Sequence, residues 1–224
     1  MTVPGVESFG ADAEPMSLAD KAYLAIQDKL IMLDIRPNEA IVESELAAEL
    51  HAGRTPVREA LKRLEVDHLV ASYPRRGTFA TGVDVADLRH ISQIRMHLEP
   101  VGARVAAEGA PPAVRAQLAE LAERTGALDV GSIDRRELMR WDMRVHRSIY
   151  RATGNPHLEE VLVRYDNLAT RIFCLFLDRL PNVALHVSEH TDLLRAIAAG
   201  DGDTAADIAY VHVTGFEETI RAIA

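Results

Sequence analysis

From Ser17 onward the apolar residues Ala22, Ile26, Leu30 and Leu33 recur every three or four positions, the spacing that lines one face of an α-helix. Ser17 with Asp20 three residues on is a capping-box-like start, and the helix is expected to stop near Arg36-Pro37. A short extended piece, Ala40 to Glu43, leads to a compact helix with Leu46, Ala47 and Leu50 turned inward, and His51-Ala52-Gly53 turns the chain into another helix. In that helix Thr55 is the expected cap, Pro56 the first residue, and Val57, Ala60, Leu61 and Leu64 the buried face. Beyond Asp67-His68, LVASY and TFAT have strand character around a turn-like PRRG, which predicts a two-stranded hairpin tipped by Arg75, Arg76 and Gly77.

The texture changes at Asp84. Six helices are expected, at about 85–109, 112–127, 134–153, 156–179, 183–199 and 203–222. Gly109-Ala110-Pro111-Pro112 ends the first, Asp134 with Glu137 boxes the start of the third, Gly154-Asn155-Pro156 supplies a stop, a cap and a first-turn proline, and Gly200-Asp201-Gly202 separates the last pair. The expected organisation is a flexible tail (1–16), a helix-turn-helix with a hairpin (17–82) and an all-helical domain (83–224), coupled by a short linker near 81–85. The fold class is mainly α.

Composition narrows this further. Among 224 residues, 48% hydrophobic and 26% charged, no apolar run approaches the ~18 residues a membrane span needs, so no membrane partner is expected. The first fifteen residues carry neither a basic region nor an apolar core and do not read as a secretory signal. The single cysteine, Cys174, cannot form an internal disulfide, which fits a reducing compartment, the cytoplasm. The net charge of −9 is unevenly spread, since residues 54–76 hold six cations against three anions. Nucleic acid needs only such a local patch.

Arg54, Arg58 and Lys62 stand four residues apart, so they form one cationic stripe opposite the apolar face of their helix. A solvated basic face is the commoner fate of such a stripe. Here a basic hairpin follows at the distance a wing requires, and the pattern reads as a winged helix-turn-helix: base edges of double-stranded DNA are read from the helix start and phosphates held by cations at the turn and on the hairpin, with Lys62 and Arg75 among the DNA-binding candidates. The stretch ELAAELHAGRTPVREALKRLE with PRRGTF resembles the GntR family of bacterial transcriptional regulators over residues 17–82. That resemblance implies base and nearby phosphate contacts from Arg54, Thr55 and Arg58, and minor-groove entry by Arg76 and Gly77. His51-Ala52-Gly53 stands where family members usually show Gly-Val-Ser, so a serine hydroxyl that could cap the helix is missing.

In the second domain Asp142 and His146 share one helix face a turn apart, and His190 and His212 fall on two later helices. If those helices pack antiparallel about Gly200, one carboxylate and three imidazoles meet, a set that suits Zn²⁺, Ni²⁺ or Mn²⁺ and leaves coordination positions open. By spacing alone they could equally be packing histidines. R-x-x-L-E at Arg95–Glu99, D-x-x-x-H at Asp142–His146, G-N-P-x-L at Gly154–Leu158 and E-H-x-x-L-L-x-A-I-x-x-G-D at Glu189–Asp201, with the late His212, resemble the FadR-like, FCD-type effector domain in its six-helix, VanR-like form. The resemblance implies a metal on Asp142, His146, His190 and His212, zinc before nickel or manganese. Arg95 is the candidate grip for a carboxylate effector, against a plain pairing with Glu99 at i+4. Asn167 and Arg171, four apart, are candidates to face the same cavity. His51, His68, His90, His97, His157 and His186 are assigned to surface or packing, and IFCLFL around Cys174 to core or subunit contact.

The function expected is a homodimeric transcription factor on a pseudo-palindromic operator, a repressor relieved by a small carboxylic acid bound at the metal. A metallohydrolase with a basic accessory domain is the alternative from another class, but the chain has no His-Glu-x-x-His arrangement and no Ser/His/Asp nucleophile signature. A metal-free ligand-sensing regulator is the third.

Overall fold

The computed structural model describes residues 16–180 and 183–223. Nearly all of the expected tail, residues 1–15, lies outside them. The chain divides into two compact units at Asp84–Val85.

In the first unit α1 (Leu18–Ile31) is capped as its sequence implies, with the Ser17 hydroxyl oxygen accepting from the Asp20 backbone N–H, and its Ala22, Ile26 and Leu30 are buried. It ends before Arg36-Pro37, because Leu33 turns into the left-handed region at φ 61° and breaks the helical run. Gln27 donates to the Tyr23 hydroxyl and that hydroxyl donates to Asp67, both at 2.7 Å, which ties α1 to the end of α3 (Arg54–Val66). α2 (Glu43–Glu49) buries Leu46 and Ala47, and α3 buries Val57, Ala60, Leu61 and Leu64. The start of α3 differs from expectation. Gly53, extended at φ −75° and ψ 164°, is the N-cap and makes no side-chain cap; Thr55 and Pro56 fall at the second and third helical positions. Pro56 is harmless there, since the first four N–H groups of a helix have no intrahelical partner.

The sheet has three strands rather than two, in the order β1–β3–β2, all antiparallel: β1 (Ala40–Ile41), β2 (Val70–Tyr73) and β3 (Gly77–Ala80). Two residues are too few for β1 to show alternation in the sequence, so its pairing of Ala40 with Phe79 and Ile41 with Thr78 had no signal to read. At the hairpin tip the Tyr73 carbonyl accepts from the Arg76 N–H at 3.0 Å around Pro74 and Arg75, and Arg75 sits at φ 63°. That is the form of a type II turn, whose third residue is ordinarily glycine or asparagine.

Among the described residues of the second unit a 3-10 turn, Val85–Asp87, precedes six helices: α4 (Leu88–Gly109), α5 (Pro112–Gly126), α6 (Arg135–Ala152), α7 (Pro156–Leu175), α8 (Val183–Ala199) and α9 (Gly202–Ile223). α4 lies along α7 and α9, α5 along α8, and α6 against α7 and α8. Leu118, Val145, Ile149, Leu162, Leu194 and Ile197 fill the space between them. Gly102 on α4 permits the close approach of α7, since a Cβ there would come 2.9 Å from Leu162. Asp134 caps α6 through the Arg136 N–H, and Asn155 caps α7 through those of His157 and Leu158. α7 stops four residues short of the expected end. Arg135 takes the carbonyls of Leu177 and Leu180, both at 2.7 Å, and so holds the chain in turns where the helix would have continued.

Candidate functional site

The first unit presents a cationic face. Arg54, Thr55, Arg58 and Lys62 on α3 are all exposed, as are Arg75, Arg76 and Gly77 at the hairpin tip. Arg58 is engaged, its Nε donating to Glu43 at 2.8 Å. Arg63 does not belong to the face: it pairs with Asp20 at 2.7 Å and lies over the Tyr23 ring.

In the second unit α6, α8 and α9 bring together Asp142, His146, His190 and His212, all buried, with one candidate ligand atom from each lying within 4.8 Å of every other. Two of these come from one turn of α6 and the others from successive helices joined at Gly200, whose φ of 80° makes the tight connection.

The outer nitrogens of the three imidazoles set how the inner ones face. His190 Nδ1 lies 3.2 Å from the Val187 carbonyl and His212 Nδ1 lies 3.1 Å from Glu189, both pure acceptors, so each Nδ1 carries the proton. The Tyr150 hydroxyl donates to Glu99 at 2.5 Å, so its oxygen accepts from His146 Nδ1 at 3.0 Å. With all three rings neutral, as metal binding requires, the Nε2 atoms are left as acceptors directed inward, the tautomer that metal-ligating histidines are given by such outer partners. His212 Nε2 and Asp142 Oδ1 are buried with no hydrogen-bonding partner among the described residues. His146 Nε2 and His190 Nε2 stand 3.2 Å apart. A set of lone pairs converging on one point, with two buried atoms orphaned, is the donor arrangement a divalent cation satisfies. The residues fit the group.

Electrostatics agree. Burial alone would lower the His146 pKa, but the carboxylates of Glu99 and Asp166 prevail and hold it at about 9. Burial, with His212 beside it, pushes His190 well below its ordinary value, and burial with His186 does the same to His212. Burial would raise Asp142, yet His186 and the other imidazoles hold it well below the carboxylate range. The cluster thus keeps one positive charge in its midst.

Other expectations fare differently. Arg95 is buried, its guanidinium donating to Glu99 at 2.8 and 3.0 Å and to Asp166 at 3.1 Å. The pairing with Glu99 weighed against effector binding is present, and Asp166 adds a second carboxylate from α7. Asn167 is buried but accepts from Arg147 at 3.1 Å; Arg171 is buried too, its pKa lowered to about 10 by burial. His51, His68, His90, His97 and His157 are exposed, as assigned. His186 is not a bystander. Its Nε2 lies 3.2 Å from Asp142 Oδ1, off the line of a hydrogen bond, and its ring stacks on His212 and Phe216 with centroids 4.1 and 3.8 Å away. Its spacing of four from His190 on α8 was the signal available, together with Glu189 between them. Glu99 enters the sequence reading only as the partner of Arg95; Tyr150, one turn after His146 on α6, had the helical spacing as its signal, and Asp166, from α7, had none.

A winged helix-turn-helix beside an all-α domain with a buried donor cluster is the build of a DNA-binding regulator. The chain matches the model of the gntR family of bacterial regulatory proteins over residues 18–80 and that of the FCD domain over residues 90–215. It belongs to the GntR family, in the branch that carries an FCD domain, and is a transcriptional regulator rather than an enzyme. It is 27% identical over 201 residues to an HTH-type transcriptional regulator in an unstable DNA locus of Streptomyces ambofaciens, covering 90% of this chain and 84% of that one. It is 22% identical over 202 residues to the HTH-type transcriptional repressor RspR of Escherichia coli K12, covering 90% and 88%. Among solved structures, E. coli McbR/YncC shares the fold with a TM-score of 0.78 at 21% identity, covering 93% of this chain and 99% of the other. No helix among the described residues is long and apolar enough to cross a membrane.

Proposed function

We propose that this regulator is a cytoplasmic, homodimeric repressor that releases a double-stranded DNA operator when a small carboxylic acid binds at a divalent metal ion in its second unit. Arg54, Thr55 and Arg58 read bases and nearby phosphates, Lys62 and Arg75 hold phosphates, and Arg76 and Gly77 approach the minor groove. Asp142, His146, His190 and His212 hold the ion, zinc best matching three imidazoles and one carboxylate, with nickel or manganese as the other candidates. The bound ion supplies positive charge and exchangeable positions for an organic acid. The observation that carries the sensor half is the inward convergence of three Nε2 lone pairs, each imidazole fixed by an outer acceptor. The sign of regulation rests on the relative named as a repressor. An effector that prefers the DNA-incompetent state by ~1–3 kcal/mol weakens operator binding several-fold to a hundredfold.

Two measurements test this. Metal analysis of untagged protein purified without chelator should return one ion per chain, lost on Asp142→Ala/His146→Ala; absence of metal removes the sensor reading. Duplexes selected from a random library by the wild type should lose sequence-specific binding to Arg54→Ala/Arg58→Ala; undiminished specific binding removes the DNA assignment.

A further inference from the structure

An ion held by Asp142, His146, His190 and His212 has to reach a place closed to water, since none of the four is more than 5% exposed. A buried metal site needs an entry path. Between α8 and α9 lies a cavity of about 210 Å³ bordered by His186 and Glu189, with Leu185 and Val211 exposed at its mouth. Glu189 reaches solvent, 45% of its side chain being exposed, and its carboxylate lies 3.1 Å from His212 Nδ1 and 3.9 Å from His186 Nδ1. Ligand atoms of His186, Glu189 and His212 all lie within 4.8 Å of one another, so these three make a second donor set that shares His212 with the first. His186 spans the two sets, because its other nitrogen, Nε2, stands 3.2 Å from Asp142 Oδ1. Its ring is nearly parallel to those of His212 and Phe216, at 12° and 20°, so packing fixes which nitrogen faces which set.

We infer that His186, Glu189 and His212 form an outer divalent-metal site, a staging point through which the ion passes from the cavity to the buried four-residue site. The inference rests on the metal reading above. One carboxylate and two imidazoles beside an open mouth suit a borderline cation such as zinc, with water filling the remaining positions. The ion can therefore give up its water in two steps rather than one. Sharing decides occupancy: a neutral imidazole has one lone pair, so His212 serves the outer set through Nδ1 or the inner set through Nε2, not both. While the ion is outside, the His212 proton sits on Nε2. As the ion moves in, that proton leaves and Nδ1 takes one up, restoring the bond to Glu189. The inner set offers four donors against three, so one ion per chain, inside, is the resting state. A staging point speeds entry and exit by the same factor and leaves affinity unchanged, whereas a residue that merely supports the inner ligands changes affinity.

Stopped-flow mixing of metal-free, untagged protein with zinc and a chromophoric indicator measures uptake, and excess chelator measures loss. His186→Phe keeps the aromatic stack and removes the nitrogens. Leu185→Arg, at the exposed mouth, sets a positive charge in the path without disturbing the fold. Each variant should slow uptake and loss alike, roughly tenfold or more, with zinc affinity within about threefold of the wild type. Wild-type rates in either variant overturn the inference and leave the four-residue site standing. A larger loss of affinity in His186→Phe overturns it as well, by making His186 a ligand or support of the inner set. Failure of the wild type to take up zinc removes the metal reading itself, and the inference with it.

Discussion

The Nε2 atoms of His146 and His190 face each other across 3.2 Å, each on a ring whose Nδ1 is turned outward to a fixed acceptor. Two lone pairs at that distance repel unless a cation stands between them. Without metal the cation is a proton on His146, whose pKa is held at about 9 by Glu99 and Asp166 against the opposing effect of burial. A raised pKa means the proton is present below about pH 9 and must leave when metal binds. Zinc affinity should therefore weaken about tenfold per unit as pH falls below about 9, from this proton alone. Titration at pH 7.5 in two buffers of different ionisation enthalpy should show one proton released to solvent per ion; none released would sink the account.

Tyr150 holds the other side of that ring, accepting from His146 Nδ1 and donating to Glu99. Tyr150→Phe takes the hydroxyl acceptor from the buried His146 Nδ1, while Glu99 keeps its two bonds from Arg95; weakening the hold on one buried donor costs ~1–3 kcal/mol. Because the outer partner also fixes the ligand's tautomer, zinc affinity should fall by roughly 10–100-fold. A competition titration with a chromophoric chelator measures it, and a variant binding zinc as tightly as the wild type refutes the role.

Arg95 neutralises two buried carboxylates from α4 and α7. Arg95→Met should cost about 3–5 kcal/mol in urea unfolding, since removing one member of a buried ionic set leaves the others uncompensated. A loss under 1 kcal/mol with weaker effector binding would instead restore Arg95 as an effector contact.

What could be read without coordinates follows the reach of sequence spacing. Asp142 and His146 lie on one face of α6 by helical period, and their meeting with His190 and His212 followed from the Gly200 break and from resemblance. Arg95 and Glu99 also lie at helical spacing, but spacing does not tell a buried pair from an exposed one, and Asp166 arrives from a helix 71 positions away. His186 was passed over because it lies a turn before His190 with no motif of its own. β1 was too short for a period, and the early end of α7 depends on Arg135, 42 residues upstream.

On the proposed reading, Lys62 holds a phosphate and Arg54 a base. Lys62→Ala should weaken binding to all duplexes alike and reduce the salt-dependence slope by about 1. Arg54→Ala should cost ~1–3 kcal/mol on the selected operator and relax preference at one base pair. Fluorescence anisotropy over a salt series distinguishes them, and identical behaviour of the two variants contradicts the division of roles.

Arg75 occupies the left-handed position of a type II turn, φ 63°, where glycine would sit without strain. A side chain in that region costs roughly 1–2 kcal/mol, partly offset by the freedom glycine regains in the unfolded chain. A strained residue at an exposed tip persists where its side chain is needed, and here that side chain is a guanidinium beside Arg76 and Gly77. Arg75→Gly should therefore raise stability by about 0.5–1 kcal/mol in urea unfolding while weakening duplex binding and reducing its salt slope. If the variant gains stability and loses no affinity, Arg75 is a turn residue alone and the wing's contact falls to Arg76.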